Sequence, residues 1–205
     1  MSDRASFPLL AVVLAGLLAS AAGGYQRAKS RYGRPLHWPV RMIDVELKRL
    51  PPSLAGPRAR DVLAHAVARW RSVDGCRVPL LVFPRPDEDL GPSLGTITID
   101  TPDPWPRKPS ESAWTDVVSH PDTGAIERVT ILLNPTVVWD TADPVAPDRV
   151  DFGSVITHEL GHALGLAHSF DRRALMRAGM RPGDRRRELT DDDIAGVCAV
   201  FSDTR

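Results

Sequence analysis

What this chain lacks first is an excess of charge of either sign: 26 Lys+Arg stand against 26 Asp+Glu, for a formal net charge of +0 over 205 residues. Net charge therefore gives no reason to expect nucleic acid or an anionic surface as a partner. Internal repeats and low-complexity stretches are missing beyond the first 22 residues. Aromatic residues are few, at 6%, and the five tryptophans show no stacking pattern of the kind a sugar site uses, so they read as core or cleft-edge packing. Cysteine is reduced to Cys76 and Cys198. The triplet Arg185-Arg186-Arg187 is short, and it reads as a solvated loop. What remains is a chain with 42% hydrophobic residues, enough for one globular domain with a sizeable core, and 19 prolines, which point to long ordered loops.

Residues 1–22 read as a cleaved signal peptide. Arg4 precedes an apolar run, Phe7–Leu18, and Ala19-Ser20-Ala21 offers small residues for cleavage. The run is short for a membrane span, which needs about 20 apolar residues; an uncleaved anchor is the lesser alternative. No cysteine lies near the cleavage site to carry a lipid. The expectation is a secreted or periplasmic monomer with no stable membrane association after signal cleavage. Residues 23–35 then form a short N-terminal segment and 36–205 the domain.

Hydrophobic periodicity predicts the elements of that domain. Val40–Leu47 alternates as a strand, and Pro57–Ser72 carries Val62, Leu63, Ala66, Val67 and Trp70 at helical spacing. Val78–Phe83 is a continuous apolar run between prolines, which fits a buried strand. Gly95–Asp100 alternates again. Ala113–Ser119 and Ile126–Asn134 flank Pro121-Asp122-Thr123-Gly124, a turn sequence, and form a hairpin. A helix is expected over Phe152–Leu164 with Asp151 as its N-cap, and a last helix after Thr190, with Asp191–Asp193 in its first turn. Strand–helix–strand at the start suggests a crossover onto a mixed sheet. Cys76 follows the first helix and Cys198 lies in the last. In an exported chain a bridge between them is permitted and is favoured over two buried free thiols. It would close a loop of over a hundred residues.

The chemistry is concentrated in His158-Glu159-Leu160-Gly161-His162-Ala163-Leu164-Gly165-Leu166-Ala167-His168. His158 and His162, four apart on a helix, share one face and can hold one metal. Gly165 can take positive φ and swing the chain off the helix, bringing His168 back as a third nitrogen. Three protein ligands leave one position of a tetrahedral Zn²⁺ open, the mark of a catalytic rather than a structural site. Glu159, beside the first ligand, is placed to act as general base on a water there.

This run resembles the zinc signature H-E-x-x-H-x-x-G-x-x-H of the metzincin metalloproteases. Met176, eight residues after His168 in Ala174-Leu175-Met176, stands where that family has its Met-turn. Ser169 after the third histidine, and Leu189-Thr190-Asp191-Asp192-Asp193-Ile194 near the end, look like the matrixin (matrix metalloproteinase-like) branch. The resemblance implies an α+β, zincin-like catalytic domain: a twisted mixed five-stranded sheet with one antiparallel edge strand, an active-site helix and a C-terminal helix, with residues 36–165 above a cleft and 166–205 below. It implies zinc held by His158, His162 and His168, Glu159 as catalytic base, and Met176 as an apolar floor. It also implies a protein or peptide substrate laid along the edge strand at about 112–118.

The chain departs from that pattern in places. The stretch 101–150 contains only His120 among histidines, so no second, structural zinc is expected. Calcium is unsupported: Asp87-Glu88-Asp89 and Asp140-Thr141-Ala142-Asp143 could supply oxygens but have no recognisable loop spacing, and solvated acids are the preferred reading. After the Met-turn comes Gly179-Met180-Arg181-Pro182-Gly183-Asp184, with no tyrosine where the family carries a Pro-x-Tyr wall, so the family's cleavage preference does not transfer. No cysteine upstream of the domain resembles that of a matrixin propeptide. The leading reading is an exported zinc endopeptidase; the alternative is a zinc-bound, weakly active or inactive domain that binds a peptide or protein.

Overall fold

The computed structural model describes residues 24–83 and 95–202. The run read as a signal peptide and Asp87-Glu88-Asp89 lie outside the described residues. No helix among those described is long and apolar enough to cross a membrane.

Five strands make the main sheet: β2 (Met42–Leu47), β3 (Leu80–Val82), β4 (Thr96–Asp100), β5 (Ala113–Ser119) and β6 (Ile126–Leu133), in the order β3-β2-β4-β6-β5. A two-residue strand, β1 (Gln26–Arg27), precedes them. All pairs are parallel except β5 with β6, so the antiparallel strand is an edge. This is the mixed five-stranded sheet expected of the family. Period-2 alternation buries Ile43 and Val45 on β2 and Ile97 and Ile99 on β4, and the parallel register sets Ile97 opposite Val129 and Ile99 opposite Ile131. The β5–β6 hairpin forms as its turn sequence predicts, with a register shift at Val118/Ser119.

The run Val78–Phe83 is the exception. Only Leu80–Val82 pairs, on the far edge of the sheet, and Leu80 is 42% exposed while Leu81 is buried. A continuous apolar run predicts burial on both faces, but here only the face carrying Leu81 is fully covered, and Leu80 and Val82 point to the opposite, less covered face.

Helix α1 (Pro57–Arg71) starts with proline at its first turn, where the missing N–H costs nothing. Ala59, Leu63, Ala66, Val67 and Trp70 form its buried face. That face packs on α2 (Phe152–Ala163), and the Trp70 indole N–H donates to the Thr157 carbonyl at 2.8 Å. Truncating a buried tryptophan of this kind costs about 3–5 kcal/mol. Trp38 seals the other end of α2, donating to the Ala163 carbonyl at 2.8 Å.

Short strands β7 (Trp139–Asp140) and β8 (Val150–Asp151) pair just ahead of α2, and β9 (Leu166–Ala167) follows it. β9 pairs antiparallel with β1. Residues 24–35, read as a segment ahead of the domain, are therefore woven into it: the Leu36 N–H donates to the Ala28 carbonyl at 2.8 Å, and the Tyr25 N–H reaches Asp192 at 3.0 Å. Helix α3 (Asp191–Ser202) closes the chain. Cys76 and Cys198 are bridged, with Cα atoms 5.2 Å apart, which ties α3 to the loop after α1.

Candidate metal centre

Asp151 starts the α2 helix. Its Oδ2 accepts the Ser154 N–H at 2.9 Å, as its N-cap position predicts. The next two turns set His158 and His162 on one face, ring centroids 4.7 Å apart. The helix ends at Leu164, and Gly165 takes φ +103, a conformation L side chains rarely adopt; a Cβ there would also stand 3.0 Å from the Leu36 carbonyl oxygen. The reversal carries the chain through β9 and returns His168 to the other two rings. Ligand atoms of all three histidines lie within 4.8 Å of one another.

The donor set fits a zinc ion. His158 Nδ1 faces the Leu175 carbonyl at 2.9 Å, and His162 Nδ1 faces the Leu166 carbonyl at 2.9 Å. Each carbonyl fixes the proton on Nδ1 and leaves the Nε2 lone pair for a metal. The Nε2 atoms of His162 and His168 are 3.2 Å apart. Two nitrogens on a tetrahedral zinc at 2.0–2.1 Å stand about 3.3 Å apart. Burial holds His158 well below its ordinary pKa, at about 3, with the neighbouring His162 acting in the same direction, and burial also lowers His168. Both imidazoles are thus neutral, the form that binds metal.

Glu159 is 8% exposed, on the cleft side of α2. Its Oε2 accepts the Thr115 hydroxyl at 2.6 Å. Burial pushes this carboxyl above its usual range, opposed by His162 and by the Thr115 hydrogen bond. Thr115 sits mid-strand on β5, the sheet's open edge. The sequence reading placed that edge beside the histidines but gave Thr115 no role; its every-other-residue position on the strand was the available signal.

The cleft between β5, α2 and the loop after Met176 has a volume of about 530 Å³. Trp114, 39% exposed, lines it under the Arg107 guanidinium, which lies 3.7 Å from the ring centroid. Met176 is buried against α2: a Cβ on Gly161 would meet its sulfur at 2.4 Å. The loop carrying Met176 is held from α3. The Asp193 carboxylate accepts the N–H groups of both Leu175 and Met176 at 2.9 Å, and also caps its own helix through the Thr190 N–H at 2.8 Å. Sequence reasoning saw Asp193 only as an acid in a first turn.

The arginine triplet is not a solvated loop. Only Arg185 is exposed, paired with Asp143 at 2.8 Å. Arg187 is 12% exposed and supplies the counter-charge to Asp151, which is 0% exposed; its Nε reaches Asp151 Oδ2 at 2.9 Å. Arg186 is half-buried on the cleft wall. A buried helix cap needs a cation, and a three-residue basic run does not reveal which member meets it. Asp140, weighed above as a calcium ligand, accepts the N–H groups of Ala142 and Ala146 at 2.9 and 3.1 Å, and Asp143 is engaged with Arg185.

Comparison with known proteins agrees with this geometry. The matrixin family model matches residues 61–202, which include all three histidines. The chain is 28% identical over 178 residues to "Metalloendoproteinase 5-MMP" of Arabidopsis thaliana, covering 82% of this chain and 46% of that protein. It is 28% identical over 155 residues to "Metalloendoproteinase 4-MMP" of the same plant, covering 74% and 42%. Over 61 residues it is 46% identical to "Metalloendoproteinase 1" of Glycine max, covering 30% and 20%. The chain spans less than half the length of these curated relatives.

Proposed function

Because the chain belongs to the matrixin family, we propose that it is an exported zinc-dependent endopeptidase that hydrolyses internal peptide bonds of proteins. The observation that carries this reading is the convergence of three imidazoles beside a buried carboxylate, on a cleft bordered by an open strand edge. His158, His162 and His168 would hold the ion through Nε2. Zinc, when bound there, supplies Lewis acidity to a carbonyl and lowers the pKa of water toward about 7.

The protein's own groups do the rest. A substrate peptide adds as a strand to the free edge of β5, which sets its scissile carbonyl over the histidines. Glu159 takes a proton from the attacking water as the water oxygen bonds to the carbonyl carbon. It returns that proton to the amide nitrogen as the C–N bond breaks. Burial raises the basicity of this carboxylate, and the Thr115 hydroxyl holds one of its oxygens in place. Met176 packs beneath the helix, and the carbonyls of Leu175 and Leu166 orient two of the imidazoles. Export is supported by the N-terminal apolar run and by a disulfide that needs an oxidising compartment.

The test pairs metal analysis with turnover. One zinc per chain and chelator-sensitive cleavage of casein are expected, and Glu159→Ala should lower cleavage about 10²–10⁴-fold while zinc content is unchanged. Full zinc occupancy in a wild-type protein that cleaves nothing would instead favour a peptide-binding domain.

A further inference from the structure

The cleft wall beyond His158 and Glu159 carries positive charge that this mechanism leaves unused. Val155 of α2, Met180, and the cations Arg177 and Arg186 line it. Arg186 is anchored: its backbone N–H donates to Ser154 Oγ at 2.6 Å, and one guanidinium nitrogen donates to the carbonyls of Ala174 at 3.3 Å and Arg177 at 3.1 Å. The other terminal nitrogen donates to the Gly179 carbonyl. Every one of these acceptors of the guanidinium is neutral, and Nε is buried with no partner. Arg177 donates to the Arg172 carbonyl at 3.2 Å.

Among the described residues neither arginine is ion-paired with a carboxylate. Asp184 and Asp193 act on Arg186 only at longer range, and each is engaged elsewhere, with the Arg181 N–H and with the Met176 loop. Burial, then the charge of Arg177, lowers the pKa of Arg186, as expected of a cation short of counter-charge. The acids that line the same cleft are accounted for: Glu111 pairs with Arg107 at 3.1 Å and Glu159 faces Thr115.

Resting on the endopeptidase reading, we propose that this wall selects substrates with an acidic side chain directly beside the scissile bond. The methylenes of a glutamate would pack on Val155 and Met180, and its carboxylate would meet the guanidinium groups of Arg177 and Arg186. A site whose buried donors lack an anion discriminates against neutral isosteres, because those leave the cation unpaired.

The test uses quenched fluorescent peptides that differ only at one position, on either flank of the scissile bond, occupied by Glu, Gln or Leu. With the zinc-loaded full chain, Glu should exceed Gln at one flank by about tenfold or more in kcat/KM, because the bond is charge-assisted. The ratio should shrink as salt is added. It should fall in Arg177→Gln and approach one in Arg186→Met, and Arg186→Lys should keep part of it. Because the ratio compares peptides within one preparation, it does not depend on the fraction folded or loaded. If Arg186→Met does not fold, Arg177→Gln and Arg177→Glu carry the test, the latter reducing the ratio further. If no peptide is cleaved, the same peptides are titrated calorimetrically against the Glu159→Ala protein. Tighter binding of the Glu peptide would then uphold the selective wall while the endopeptidase reading fails. Equal use or equal binding of Glu and Gln at both flanks, or a preference for Leu, overturns the proposal.

Discussion

Replacing Asp193 probes how the last helix supports the metal centre. Its carboxylate is 0% exposed and takes four hydrogen bonds. Oδ1 accepts the Met176 N–H at 2.9 Å; Oδ2 accepts the Leu175 N–H at 2.9 Å, the Thr190 N–H at 2.8 Å and the Thr190 hydroxyl at 2.7 Å. The same Leu175 turns its carbonyl to His158 Nδ1 at 2.9 Å. Asparagine at 193 has the same shape but must point an NH2 group at one set of donors. The cheaper orientation faces it toward the Met176 N–H, leaving one buried donor unsatisfied and making the remaining bonds neutral. A lost partner of this kind costs about 1–3 kcal/mol, and charge-assisted bonds exceed neutral ones by roughly 1 kcal/mol each. Asp193→Asn should therefore lose about 2–4 kcal/mol in urea unfolding. Loss of a partner that orients a ligand lowers metal affinity about 10–100-fold, so competition against a chromophoric chelator should show weaker zinc binding. A variant with both the wild-type urea midpoint and wild-type zinc affinity would refute the coupling. Lost stability with unchanged zinc affinity would confine Asp193 to capping α3.

Three further outcomes are expected. Cys76→Ser with Cys198→Ser opens a loop with a sequence separation of 122, and the chain-entropy model puts the loss at about 4–5 kcal/mol, measured by denaturant unfolding against the oxidised wild type; a loss under about 1 kcal/mol would contradict it. Gly161→Ala places a methyl 2.4 Å from Met176 Sδ and 2.9 Å from Trp70 Cζ2, so helix and floor must part; a cost of about 1–3 kcal/mol and weaker zinc binding should follow, read by thermal melts with and without metal. Arg187→Gln strips the counter-charge from the fully buried Asp151, and removing one member of such a pair costs about 3–5 kcal/mol. The double change Asp151→Ser with Arg187→Gln should recover part of that loss, because serine still caps the helix and no charge is left buried.

The site was legible in sequence to the extent that its geometry is local. A helix period puts His158 and His162 on one face, and only a residue free to take positive φ can turn the chain within the next three positions, so the ligand run can be read within eleven residues. The caps at Asp151 and Thr190 are local for the same reason. What orients those ligands is not local. Asp193 reaches Leu175 across 18 residues, Arg187 reaches Asp151 across 36, and Tyr25 reaches Asp192 across 167. Periodicity records which face of an element is apolar. It does not record which distant backbone a buried carboxylate will meet, nor which of three consecutive arginines will be drawn under the helix to neutralise it. The edge strand Leu80–Val82 shows the same limit, since an apolar run does not state its place in the sheet order.

These distant contacts converge on α3. One end of that helix holds the Met176 loop through Asp193 and the N-terminal segment through Asp192; further along, Cys198 ties it to the loop after α1. The loop that shapes the cleft below the histidines is therefore clamped from a helix that supplies none of the three ligands. A small change at the start of α3 can move His158 through the Leu175 carbonyl without altering a residue of the zinc-type motif. Asp192 and Asp193 are thus better explained by their partners than by the helix dipole. Dipole complementarity asks only for negative charge in the first turn, about 0.3–1 kcal/mol each when exposed. Asp193 is buried and satisfied by four donors from two segments, an arrangement that glutamate, one methylene longer, could not reproduce without shifting the Met176 loop.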